Sequence, residues 1–133
     1  MRYEVTKDLE TGNTLIDSEH RQLFTAINNL MDACSQGKGR DQIASTTRFL
    51  NDYVGKHFRD EEQLQVQSKY PGYPAHKQFH EKYKMDMAQV GNELTTAGPT
   101  LAVLNKLNQA VGILMTHIRT EDKKLAAHVK NAK

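Results

Sequence analysis

A chain of 133 residues is enough for one domain with one buried core, and its single cysteine excludes an internal disulfide. A net charge of +2, with acids and bases interspersed, excludes the strongly basic face that nucleic-acid binding needs. No apolar run reaches the roughly 18 residues of a membrane span and no signal peptide is visible, so one cytoplasmic domain over residues 1–133 is expected.

Three breaks, Gln36-Gly37-Lys38-Gly39-Arg40, Tyr70-Pro71-Gly72-Tyr73-Pro74 and Thr96-Ala97-Gly98-Pro99, divide the chain into four stretches of helical length. The first carries a seam of alternating three- and four-residue spacing through Ile16, His20, Leu23, Ile27, Leu30 and Cys34, with Asp17 as its expected N-cap. The second seam runs Ile43, Thr47, Leu50, Val54, His57, Glu61, Leu64. The third, opened by Pro74, runs His76, His80, Tyr83, Met87, Val90, Leu94. The fourth has a broader apolar face through Leu101, Leu104, Val111, Leu114, Met115, Ile118, Leu125 and Val129. No segment alternates with period two, and the connections are short. The expectation is an all-α, up-down-up-down four-helix bundle.

Polar residues interrupt these seams. His20, His57, Glu61, His76 and His80 stand where apolar residues belong, and burying them costs several kcal/mol unless each is paired or metal-bound. His20 lies at the start of the first helix, and His57 and Glu61 near the end of the second. His76 and His80 start the third, while His117 and Asp122 lie toward the end of the fourth. In an up-down-up-down bundle these places share one layer. A single such histidine is more often an ordinary core or surface residue, but seven polar residues converging from four helices imply a metal site at one end of the core. Within helices, His57/Glu61 and His76/His80 are four apart and share a face. His117 and Asp122 are five apart, about 140° around an ideal helix, so Glu121 is by spacing the better partner and the choice stays open. His128 lies too far along the helix to join. Cys34 reads as a buried thiol, and Lys123, Lys124, Lys130 and Lys133 as a solvated helix end.

The segments His57-Phe58-Arg59-Asp60-Glu61, His76-Lys77-Gln78-Phe79-His80 and His117-Ile118-Arg119-Thr120-Glu121-Asp122, preceded by His20, resemble the ligand set of the hemerythrins. Gly12, Ile16-Asp17 and Tyr70-Pro71 extend the resemblance over nearly the whole chain, in the manner of single-domain bacterial hemerythrins. It implies Asp122 rather than Glu121, and two non-haem irons with an oxo or hydroxo bridge. One iron would be held by His76, His80 and His117, the other by His20 and His57, with Glu61 and Asp122 bridging. The first would then have six ligands and the second five, leaving one open position for dioxygen or a small anion. Five imidazoles and two carboxylates, against the carboxylate-rich diiron oxygenases, favour reversible dioxygen binding by a carrier, store or sensor over catalysis.

The apolar pocket around that position is expected to comprise Leu23, Phe58, Ile113, Leu114 and Ile118. The alternatives are a diiron enzyme reducing peroxide or nitric oxide, or an iron- or oxygen-responsive signalling module. Three positions depart from the family pattern. Val5 and Ile113 stand where tryptophan is usual, and Gln65 stands where methionine is frequent.

Overall fold

The computed structural model describes residues 3–37 and 39–131; Lys38 of the first break and the basic Lys133 lie outside the described residues. All regular structure among the described residues is helical. A short 3-10 turn, Lys7–Leu9, precedes α1 (Thr14–Ser35), α2 (Arg40–Gln67), α3 (Tyr73–Thr96) and α4 (Leu101–His117). A π-helical turn, Ile118–Asp122, then joins α4 to α5 (Lys123–Asn131). With α5 continuing α4, the chain forms the expected four-helix bundle.

The caps show why the helices start where they do. Asn13 caps α1, its side chain accepting the Ile16 N–H at 3.0 Å, and Thr100 caps α4 by accepting the Val103 N–H at 3.2 Å. Asp17 is therefore not the N-cap that its place before the apolar run suggests. It lies within the first turn of α1, where its carboxylate accepts N–H groups from Thr11 at 2.9 Å and Gly12 at 3.1 Å and the Thr11 hydroxyl at 2.7 Å. Gly12 has φ +88°, a conformation that side chains disfavour, and this turn sets the chain's entry to α1. His20 consequently falls in the second helical turn.

The apolar seams form one continuous core, including Leu23, Phe24, Ile27, Leu30, Leu50, Val54, Met87, Leu94, Leu107 and Val111. Burying each such side chain contributes about 1.5–3 kcal/mol. Tyr83 crosses this core to donate its hydroxyl to the Ala110 carbonyl at 2.8 Å, tying α3 to α4. At Gly91 the helices come close. A Cβ there would lie 2.6 Å from Thr47 Cγ2 of α2, so a larger residue would force Thr47 or the helices apart. Several seam positions differ from the spacing-based reading: in the fourth helix Leu104, Met115 and Val129 are only partly covered, and Val103 and Leu107 take the inward places. Leu101, the first residue of α4, is exposed, and in α2 the buried residue after Glu61 is Gln65, with Leu64 only partly covered. Leu64 instead packs on a small cluster of Ile16, Leu125 and Ala126 that closes the bundle end.

Candidate metal centre

The layer beneath that small cluster contains the seven polar residues singled out in the sequence, Asp122 among them. α1 supplies His20, α2 His57 and Glu61, and α3 His76 and His80. α4 ends on His117, and the π-turn ends on Asp122. None is more than 5% exposed. Their side-chain atoms fall into two groups, His76/His80/His117 and His20/His57/Glu61/Asp122, each with ligand atoms within 4.8 Å of one another.

The π-turn resolves the five-residue spacing. Its i→i+5 hydrogen bonding widens the helix, so a step of five brings the side chain back toward the face that an ordinary helix reaches after four. His117 Nε2 thus lies 3.2 Å from Asp122 Oδ1. Glu121 is turned to solvent, where it pairs with Lys124 at 3.2 Å.

Both carboxylates straddle the two histidine groups. Glu61 Oε1 lies 3.1 Å from His80 Nε2 and 3.5 Å from His76 Nε2, while its Oε2 lies 3.2 Å from His57 Nε2 and 3.7 Å from His20 Nε2. Asp122 Oδ1 faces His76 at 3.0 Å and His117, and its Oδ2 faces His20 at 3.2 Å. Each acid therefore presents one oxygen to either side.

This donor set fits metal ions. The Nε2 atoms of His20, His57 and His80, both oxygens of Glu61 and Oδ1 of Asp122 are buried without a hydrogen-bond partner. The Nε2 atoms of His76 and His117 face each other at 2.8 Å, an arrangement that leaves at most one of them its natural acceptor role unless a cation intervenes. Imidazoles and carboxylates without thiolate suit first-row transition ions.

The outer contacts aim the rings. Glu19 Oε1 accepts from His57 Nδ1 at 2.7 Å, and Glu62 Oε2 accepts from His80 Nδ1 at 3.0 Å. Because a carboxylate only accepts, Nδ1 carries the proton and Nε2 presents its lone pair inward. Glu19 is itself held by Lys56 at 3.1 Å, which also grips Asp60 at 2.9 Å. Phe58 stacks on His80, and Phe79 on His117, each with centroids 3.8 Å apart and planes 3° from parallel. Glu19, Glu62 and the stacking of Phe79 were not evident in the seams. Glu19 and Glu62 directly follow or precede ligand-type residues in sequence, but their partners lie on other helices.

Electrostatics bind the layer together. Burial works against a charged His57, yet the Glu61 charge beside its ring and the Glu19 carboxylate that accepts from its Nδ1 outweigh it and hold its pKa at about 10. His76 is held at about 9 against the same burial by Asp122 and Glu61. His20 is also raised, again against burial, by Asp122 and Glu61. Burial alone would raise both acids. For Glu61 the His57 charge and the histidines around it prevail, and for Asp122, which the Glu61 charge also pushes up, the close imidazoles of His117, His20 and His76 prevail, so both lie below their ordinary range. Positive charge, as protons or as metal ions, is what this layer is built to hold.

Of the expected pocket residues, Leu23, Phe58, Leu114 and Ile118 are buried within one turn of a site histidine. Ile113 is different. It is 52% exposed and forms the outer wall of a surface groove of about 600 Å³, shared with Phe79, Gln109, Gly112, Thr116, His117 and Thr120. Its helical phase turns it outward, since Leu114 and Val111 take the inward positions of α4.

Comparison with known proteins agrees with this geometry. The hemerythrin HHE cation-binding domain matches residues 11–129. Myohemerythrin of Sipunculus nudus is 33% identical over 108 residues, covering 81% of this chain and 78% of its own. A bacteriohemerythrin of Stenotrophomonas maltophilia is 30% identical over 92% of this chain and 78% of its own. A bacteriohemerythrin of Pseudomonas aeruginosa reaches 41% identity, but over 76 residues that span about half (49%) of its length. A crystal structure of a hemerythrin leucine-to-tyrosine variant superposes with a TM-score of 0.82 at 25% identity, covering 97% of this chain and 96% of that one. The chain belongs to the hemerythrin HHE cation-binding family.

Proposed function

We propose that this protein binds dioxygen reversibly at a pair of iron ions held between the two histidine groups. The observation that carries the reading is the pair of carboxylates, each presenting one oxygen to His76/His80/His117 and the other to His20/His57. That arrangement suits two ions with Glu61 and Asp122 as bridges, His76, His80 and His117 on one, and His20 and His57 on the other. His76, His80 and His117 outnumber His20 and His57, so an ion held by the latter pair would have room for a small ligand. Two ferrous ions bound there would supply two electrons to dioxygen and take them back on its release.

The protein's own part is positioning and exclusion. Glu19 and Glu62 fix the tautomers of His57 and His80 so that Nε2 faces inward. Leu23, Phe58, Leu114 and Ile118 keep bulk water from the layer, which disfavours loss of the bound gas as an anion. The family resemblance and the imidazole-rich donor set support iron and reversible binding over zinc or oxygen activation.

The test is anaerobic reconstitution with ferrous iron, elemental analysis, and spectra recorded as oxygen is added and removed. About two irons per chain and a spectrum that reverses with deoxygenation are expected. One equivalent of iron, or firm preference for zinc when iron is offered, would defeat the reading.

A further inference from the structure

One buried group near the metal layer has no role in the ligand set. Gln65 is fully buried, and neither its amide nitrogen nor its amide oxygen has a hydrogen-bond partner. A solvated glutamine would satisfy both atoms, and an apolar side chain would need no partner, so an amide here calls for an acceptor that the layer provides. Gln65 lies four residues after Glu61 and eight after His57, on the same face of α2. Long helical side chains lean over the turn on their N-terminal side, and for Gln65 that turn carries Glu61. The backbone at Gln65 is fixed as well, since its carbonyl accepts the Tyr70 N–H at 2.8 Å where the chain turns toward α3.

We infer that Gln65 is a positioning residue whose amide N–H donates to the Glu61 carboxylate when the layer holds its ions. This deepens the diiron reading and rests on it. A carboxylate has about four lone-pair sites. Bridging two ions uses one on each oxygen, leaving others for a donor one turn away. Such a bond orients Glu61 for bridging and draws electron density from it.

Gln65→Met and Gln65→Leu keep the approximate volume and remove the donor, and either suffices if the other fails to fold. Two measurements are needed on each protein: unfolding of the metal-free form, and affinity for ferrous iron under anaerobic conditions. The variants should be at least as stable as the parent without metal, because an unpartnered buried amide is gone. They should bind iron about tenfold more weakly, the lower end of the 10–100-fold typical for loss of an outer contact to a ligand. Their gain in unfolding midpoint on loading should shrink accordingly. Equal iron affinity and equal gain on loading in parent and variants would overturn the role of Gln65 while leaving the diiron reading intact. If the parent itself fails to take up two ferrous ions, both fall together.

Discussion

The two ends of this bundle use the same seam for opposite purposes. Away from the metal layer the seam is filled by Leu30, Leu50, Leu94 and Leu107, all at most 1% exposed, and that end is stabilised mainly by apolar burial. At the other end the same spacing brings His20, His57, Glu61, His76 and His80 inward, with equal burial and no apolar gain. One end stabilises itself, and the other depends on what positive charge it holds. Identical periodicity thus says where a residue points, while its chemistry decides whether pointing inward stabilises or costs.

The strongest separation of the two ends should come from pH. His57 at about 10 and His76 at about 9 lie above the ordinary 6.5, so their contribution to the metal-free fold is complete below about pH 6.5. It is lost as pH rises through 9 to 10. Glu61 and Asp122 lie below their ordinary values, so their contribution is present above those values and is lost only in stronger acid. The metal-free protein should therefore be most stable near about pH 5–6 and weaken toward pH 10. Ion binding requires neutral imidazoles, so metal affinity should instead keep rising as pH climbs toward 9 to 10, where His76 and His57 lose their protons. Unfolding midpoints of both forms from pH 5 to 10 test this, and a metal-free midpoint that is flat or rises with pH would break the comparison.

A cavity at the apolar end should act on both forms alike. Leu107 is fully buried and lies ten residues before His117, about 15 Å along the helix axis. Leu107→Ala should lower stability by about 2–5 kcal/mol with and without metal, leaving metal content unchanged. Denaturant unfolding with metal analysis would show it. Altered stoichiometry would mean that the ends are not independent.

Smaller effects are expected from the outer carboxylates. Glu19→Gln keeps an acceptor for His57 Nδ1 but removes the charge, and about a tenfold loss of metal affinity is expected, near 1.4 kcal/mol. Glu62 is more accessible than Glu19, with 18% of its side chain exposed, so Glu62→Gln should cost less. Competitive metal titration ranks the two, and the reverse order would show that solvent access does not set their strength.

The smallest effect concerns Ile113. Because it walls an outer groove rather than the interior, Ile113→Trp should change the decay rate of the oxygenated form by less than about tenfold, equivalent to 1.4 kcal/mol in the barrier. Side-by-side decay of the oxygenated spectra measures it. A larger change would place the groove on the route by which water or ligand reaches the layer.

The four helices, their antiparallel order and the convergence of seven polar residues were legible in the sequence. Burial follows helical periodicity, and chain order alone brings start, end, start and end together. The partial reading of the fourth helix had a signal, the five-residue step from His117 to Asp122. An ideal helix, however, offered Glu121 as the nearer match, and only the π-turn sends Asp122 inward and Glu121 to solvent. The bonds of Glu19 to His57 and Glu62 to His80 span 38 and 18 residues and depend on how neighbouring helices are rotated, which spacing within one helix does not specify. Gln65 rather than Leu64 occupies the buried place after Glu61, and Ile113 faces out, for the same reason. Sequence determined which residues could meet. The rotation and local winding of packed helices, set by side chains from all four at once, decided which did.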